Sequence, residues 1–255
     1  MVMTDKDEMF QFFMRFYQKG EIENPRFFRR LGNPDIRGKH ILEFGCGVGS
    51  LSVYMLEKLG AASVYAIDIE KANIEFAQAN LKINHPDLIG RLDYSSIPVA
   101  QVIKPGGFDL IVTKDVLEHV IQLEECFQEL VRLLKPGGSI FAGWGPIYYG
   151  PFGGHSLTKI PYDHLILPDS MLISRYNRHS QNKRLSVYDY GLNKLRISDY
   201  LKAFEKCGLK IESVHFNVND NPLISLVGRT LGHLPFIGDL FVHSIYAKMT
   251  KEKSE

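Results

Sequence analysis

Ile41-Leu42-Glu43-Phe44-Gly45-Cys46-Gly47-Val48-Gly49-Ser50 is the stretch of this chain best suited to hold a ligand. An apolar run delivers the chain into G-x-G-x-G, where glycines let a backbone turn sharply and come close to a bound molecule. A helix starting there offers free N–H groups. The spacing departs from the G-x-G-x-x-G of dinucleotide loops, and no G-K-[ST] phosphate loop is present. Glu43 stands two residues ahead of the first glycine, where negative charge would repel a phosphate and favour a cationic ligand. Asp68 closes a second apolar run, Val64-Tyr65-Ala66-Ile67. An acid at a strand's end is placed for ribose hydroxyls, and its other reading is a cap on the next helix. His119, His155 and His164 are the candidates for proton transfer near neutral pH, although isolated histidines are more often structural.

Strands and helices must alternate to position these residues. Apolar runs at His40–Phe44, Ser63–Ile67, Phe108–Thr113 and Ser139–Trp144 read as buried strands. Helical patterns from Gly49 to Leu59, Glu70 to about Ile83 and Leu117 to Leu134 separate them, with Lys135-Pro136-Gly137-Gly138 as a turn. A further helix at Ile197–Cys207, a strand at Leu209–Asn217 and a last strand within Leu240–Met249 follow. Met9, Phe10, Phe13, Met14 and Tyr17 predict an amphipathic helix over Asp5–Lys19, then a turn-rich link through Asn24-Pro25 and Asn33-Pro34. The expected fold is α/β, a Rossmann-like, doubly wound, mostly parallel seven-stranded sheet. It is expected as one domain over 1–255, with a helical cap at 1–37, a cofactor-binding half at 38–144, a substrate lid at 145–195 and the rest of the sheet at 196–250. A long irregular segment such as 145–195 is usually functional.

These motifs together resemble the class I S-adenosylmethionine-dependent methyltransferases, in the small-molecule branch that includes the quinone-biosynthesis enzymes. Phe108-Asp109-Leu110-Ile111-Val112 leading into Asp115-Val116-Leu117-Glu118-His119-Val120 is similar to that branch's fourth-strand motif, and Leu133-Leu134-Lys135-Pro136-Gly137-Gly138 to its turn before strand five. The likeness is close over Gly38–Trp144 and looser over Arg196–Met249. It implies S-adenosyl-L-methionine as cofactor, held by Glu43, Gly45, Cys46, Gly47, Gly49, Asp68, Ile69, Asp93, Tyr94, Lys114, Asp115 and His119. Asp68 would take the ribose, and Asp93-Tyr94, after the third strand, the adenine. Cys46 reads as a small filler rather than a nucleophile. Glu118 and His119 stay ambiguous between site and scaffold, because an acid is favoured at a helix start in any case.

The resemblance further implies methyl transfer, most simply O-methylation of a small metabolite or sugar without a metal. No Asn/Asp-Pro-Pro-Tyr/Phe follows the fourth strand, where Thr113-Lys114-Asp115-Val116 stands, and no Pro-Cys pair is present, so adenine, glutamine and cytosine are not expected acceptors. Gly150-Pro151-Phe152-Gly153-Gly154-His155 and Pro161-Tyr162-Asp163-His164 offer a base inside the lid, with His155 preferred. The lid's aromatics either line an acceptor pocket or form a core of their own. Alternatives are a cofactor-binding protein without transfer activity, an N- or C-methyltransferase of a small molecule or lipid-like quinone, and a nicotinamide-dependent oxidoreductase.

Composition adds exclusions. Thirty Lys+Arg against 29 Asp+Glu in 255 residues give a net charge of +1 and no case for nucleic acid. The 3 cysteines lack C-x-x-C spacing, which argues against zinc and disulfides and for a reducing, cytoplasmic setting. The N-terminus is charged at once, unlike a secretory signal. Arg175, Arg178, Lys183, Arg184, Lys194 and Arg196 form a basic run, read either as a solvated face or as a grip on an anionic acceptor. Pro222–Met249, the most apolar stretch, is too interrupted to span a membrane, and within it Pro222–Phe241 reads as an apolar substrate tunnel, a membrane-surface helix in peripheral contact or an insertion packed on the core.

Overall fold

A computed structural model describes residues 5–104, 106–178, 180, 183–217, 223, 226, 230–235 and 237–252. Its strands are β1 (His40–Phe44), β2 (Ser63–Ile67), β3 (Leu92–Ser95), β4 (Phe108–Lys114), β5 (Leu134–Trp144), β6 (Leu209–Phe216) and β7 (Ile245–Lys251). They form one seven-stranded sheet in the order β3-β2-β1-β4-β5-β7-β6. The pairs β1·β2, β1·β4 and β2·β3 are parallel, with Phe44 opposite both Ile67 and Thr113. Ile41, Leu42, Leu110, Ile111 and Val112 are fully buried, so β1 and β4 read as continuous apolar runs, as strands covered on both faces do. Strand order reverses between β1 and β4, which opens a crevice at their C-terminal ends.

The helices are α1 (Asp5–Arg30), α2 (Ser50–Glu57), α3 (Lys71–Asn84), α4 (Leu123–Leu133), α5 (Asp163–Ile166), α6 (Asp169–Asn177) and α7 (Ile197–Lys206). By internal packing the chain forms two compact units. One runs up to Lys114 and adds Glu129–Phe141 and the end from Thr250; the other holds Asp115–Gln128 and Ala142–Met249. In the first, Phe10 and Phe13 of α1 pack on Phe76 of α3 with ring centroids 5.1 and 5.5 Å apart. In the second, buried Trp144 meets Tyr200 and Phe204 of α7.

The first two strands coincide with the sequence reading, and several boundaries move. α1 runs on through Pro25, where a turn-rich link was expected. Pro25 forfeits one helical hydrogen bond, but Phe27, Phe28 and Leu31 beyond it are almost wholly buried. Burying side chains of this size is worth about 1.5–3 kcal/mol each, enough to carry the helix across the proline. The expected helix Leu117–Leu134 is instead a 3-10 turn at Leu117–His119 followed by α4. Lys135-Pro136-Gly137-Gly138 lies inside β5, with Gly137 keeping a turn-like φ of 74°. Asp93-Tyr94 lies within β3 rather than after it. The last strand starts at Ile245, preceded by a 3-10 turn at Gly238–Phe241. Much of Pro222–Phe241 lies outside the described residues. Among the described residues no helix is long and apolar enough to cross a membrane.

Candidate functional site

The glycine loop is closed by its own backbone. Gly45, Gly47 and Gly49 have φ of 77°, 50° and 81°. The N–H groups of Gly45 and Cys46 donate to the Ile67 carbonyl at 2.8 and 3.0 Å, tying the loop to the end of β2. Asp68 completes the tie: Oδ2 accepts from Gly47 N–H and Oδ1 from Glu70 N–H, both at 2.8 Å. The carboxylate therefore caps the following turn and braces the loop together, and each oxygen keeps lone-pair capacity for a hydroxyl. Tyr94 O–H donates to the Gly49 carbonyl at 3.0 Å from beneath. A Cβ on Gly49 would lie 2.7 Å from Tyr94 Cζ, so the position needs glycine for space as well as for φ. Cys46 is buried, and burial with Glu43 and Asp68 nearby pushes its thiol well up, which keeps it neutral. Ile69 is exposed.

Behind the loop, Glu43 is 2% exposed and accepts a hydrogen bond from Ser52 of α2 at Oε2. Burial pushes its carboxyl from 4.5 up to about 8; Asp68 adds to the rise, while the Ser52 bond and the Lys114 charge oppose it. Lys114, at the end of β4, donates to Asn24 Oδ1 at 3.5 Å, and Asn24 Nδ2 donates to Ser50 Oγ at 3.4 Å. Sequence reasoning missed Asn24 and Ser52. Ser52 left one sign, a polar residue on the buried face of an apolar helix; Asn24 was hidden by the expected turn. Because Glu43 holds its proton in the folded state at pH values where the unfolded chain releases it, its contribution to stability is complete below about pH 4.5 and disappears as pH rises through about 8. The ligand-free protein is thus expected to lose up to about 1.4 kcal/mol per pH unit in that window. Urea unfolding at pH 5.5 and 8.5 should show this slope in the wild type and not in Glu43→Gln.

Asp93 is not brought to the loop. It pairs with Tyr65, while Ser95 pairs with Ile67 next to Asp68. Alternation along the strand sends Tyr94 toward Gly49 and Asp93 to the other face. There Asp93 lines a cavity of about 390 Å³ with Ser63, Arg91, Lys104 and Phe108. β3 runs on to Ser95, so Asp93 sits inside the strand rather than after it.

The second unit holds a separate cluster. Asp115 has φ 56°, and its N–H donates to the Gly143 carbonyl at 2.8 Å. Glu118 is 3% exposed; Oε1 accepts from Gly145 N–H at 3.1 Å, and Oε2 is buried with no hydrogen-bond partner among the described residues. Burial first, and then Asp115, push its carboxyl well above the usual range. His119 Nδ1 lies 2.7 Å from the Gly191 carbonyl and His155 Nδ1 3.1 Å from the Gly153 carbonyl, with ring centroids 5.1 Å apart. A carbonyl only accepts, so both Nδ1 atoms carry a hydrogen, and in the neutral ring this leaves the lone pair on Nε2. Burial, together with the neighbouring histidines and against the Gly153 bond, lowers His155 to about 4, so it is neutral at physiological pH. Glu118, His119 and His155 each place one ligand atom within 4.8 Å of the others.

His164 is not part of this cluster. It is buried, with Nε2 on the Tyr148 carbonyl at 2.6 Å and its ring edge-on to Tyr148. Tyr148 itself packs with Leu157, Leu172, Ile173, Val187 and Leu192, so the segment after β5 builds a core of its own. The basic run is largely engaged: Arg175 with Asp163 at 2.8 Å, Lys194 with Asp169 at 2.6 Å, Arg196 with Asp239 at 2.9 Å, and Arg184 with Asp189 at 3.9 Å.

Residues 42–140 match the protein-family model described as a methyltransferase domain. Over this stretch the chain resembles a methyltransferase domain. It contains the glycine loop, Asp68 and Asp115–His119, whereas His155 and His164 fall outside it. Among curated relatives, the human mitochondrial ubiquinone biosynthesis O-methyltransferase is 39% identical over 112 residues, which cover 43% of this chain and 29% of that protein. The ubiquinone biosynthesis O-methyltransferase of Neisseria meningitidis serogroup C is 31% identical over 112 residues, 43% of this chain and 45% of that one. The match thus spans less than half the length of these relatives. An S-adenosylmethionine-dependent methyltransferase from Mesorhizobium loti aligns with TM-score 0.59 at 18% identity, covering 89% of this chain and 96% of that one. Geranyl diphosphate C-methyltransferase from Streptomyces coelicolor A3(2), in complex with Mg2+, geranyl diphosphate and S-adenosyl-L-homocysteine, aligns with TM-score 0.59 at 16% identity over 92% and 78% of the two chains. These structures establish the methyltransferase fold.

Proposed function

We propose that the protein transfers a methyl group from S-adenosylmethionine to a hydroxyl oxygen of a small-molecule acceptor. The observation that carries this reading is the loop braced by both oxygens of Asp68 in front of the buried Glu43 carboxyl. When bound, the cofactor supplies a methyl on a sulfonium; the chain's own residues orient the reactants and move a proton. Asp68 takes the ribose hydroxyls, Gly49 and Tyr94 shape the floor, and a cation in front of Glu43 favours its ionised form. His155 Nε2 would be the base that takes the acceptor's proton. That proton becomes acidic as the oxygen donates its lone pair, so a base as weak as His155 is sufficient. The O-methyltransferase names of the sequence relatives support a phenol- or quinol-like acceptor. The internal ion pairs of the basic run favour its structural reading over a grip on an anion. A cytoplasmic setting belongs to the same proposal.

The Glu118–His119–His155 cluster favours a second reading, in which a divalent cation sits there. The orphaned Glu118 oxygen and two imidazole lone pairs fit a transition metal or zinc better than magnesium. Such an ion would hold the acceptor oxygen and make its hydroxyl more acidic. The deciding experiment is an assay with labelled S-adenosylmethionine against catechol, quinol and sugar acceptors, with and without chelator. Labelled product that survives the chelator supports His155 acting unaided; activity lost to the chelator and restored by zinc or manganese supports the metal reading. Tight cofactor binding without product for any acceptor would reject methyl transfer.

A further inference from the structure

Asn193 is 6% exposed and lies outside the residues of the methyltransferase-domain match. Its carboxamide makes four hydrogen bonds. Nδ2 donates to the carbonyls of Leu117 at 2.7 Å and Val120 at 3.1 Å, which bracket the turn carrying Glu118 and His119. Oδ1 accepts from Leu195 N–H and from Tyr200 O–H, each at 3.1 Å. The Asn193 N–H adds a bond to the Glu118 carbonyl at 3.1 Å. Two residues earlier the Gly191 carbonyl receives His119 Nδ1 at 2.7 Å, and Gly191 has φ 97°.

The pattern suits an amide side chain. Two donors must meet two carbonyls while an acceptor meets two donors, and only Asn and Gln carry both functions. The Leu117 carbonyl already takes the Val120 N–H at 3.3 Å, so the amide adds a second, shorter bond there and one to the Val120 carbonyl, and losing such bonds away from water is costly. The clamp therefore does two things. It fixes the Leu117–Val120 turn, and it holds the Gly191–Asn193 segment against that turn.

We propose that Asn193 is the positioning residue of the histidine pair: by joining the Leu117–Val120 and Gly191–Asn193 segments it holds the His119 ring with Nδ1–H on the Gly191 carbonyl, beside His155. This rests on the proposed methyl transfer only for its effect on rate; the tautomer is a property of the resting protein.

The test uses Asn193→Asp, which keeps size and acceptor but loses both donors, and Tyr200→Phe, which removes one partner of Oδ1 and leaves the donors in place. Long-range proton–nitrogen NMR on the histidine rings, recorded without acceptor, reads the tautomers; steady-state kinetics reads kcat and its pH profile. Asn193→Asp is expected to abolish the Nδ1–H pattern of His119, lower kcat by about 10- to 100-fold and shift the kcat–pH profile, with S-adenosylmethionine affinity unchanged. Tyr200→Phe should move the same signals less. If Asn193→Asp does not fold, a His119 signal that moves in Tyr200→Phe supports the clamp and an unmoved one overturns it. A folded Asn193→Asp with wild-type His119 signals and an unchanged pH profile overturns it too, however much its thermal stability falls. A tautomer that shifts in a protein whose wild type methylates nothing would reject the proposed function and uphold the positioning role.

Discussion

Replacing His155 with alanine is expected to lower kcat by about 10²- to 10⁴-fold, the range for loss of a positioned base, while S-adenosylmethionine affinity stays within the error of calorimetric titration. The expectation follows from the state of the ring. His155 is neutral, its Nδ1 is engaged by the Gly153 carbonyl, and its Nε2 is left to accept. With a value of about 4, its protonation should cut the rate only in strongly acidic buffer, whereas an unperturbed histidine would give an acid limb near 6.5. His155 also sits at φ 52°, so alanine inherits a strained backbone. Asn tolerates that conformation, and His155→Asn separates lost base from lost geometry. Wild-type turnover in both variants would remove His155 from the mechanism.

Gly49→Ala should weaken S-adenosylmethionine binding by about 10- to 100-fold, measured by calorimetric titration. A side chain at φ 81° costs about 1–2 kcal/mol, and that is the smaller part. The new methyl would meet Tyr94 Cε1 at 2.9 Å, forcing the ring off the Gly49 carbonyl it supports. Gly32→Ala is the matched control. Its φ is 80° and nothing lies within 4 Å of the added carbon, so it carries the strain without the collision. Equal losses of affinity in the two variants would show that the Tyr94 contact is irrelevant.

What the sequence disclosed follows from where information resides. β1 and β2 were legible to the residue because buried parallel strands are short apolar runs and because glycines and Asp68 punctuate them. The loop and its acid were legible for the same reason: their chemistry is local. Pro25 misled because the burial of Phe27 and Phe28, which outweighs it, depends on partners far away in sequence. Asp93 was read as following the third strand, but it lies within β3, where alternation fixes its face. Asn193 was invisible, and Ser52 nearly so, for a stronger reason. Each is a common polar residue whose role exists only once helix and turn have met Glu43 or Leu117.

The double engagement of Asp68 also bears on time. With Gly47 and Glu70 already bonded to one carboxylate and Gly45 and Cys46 to one carbonyl, the loop reaches its working shape when the chain folds. An arriving cofactor meets a loop whose shape is already set, which favours capture at the pace of encounter. Differences in affinity among cofactor, product and analogues then reside in how quickly each one leaves.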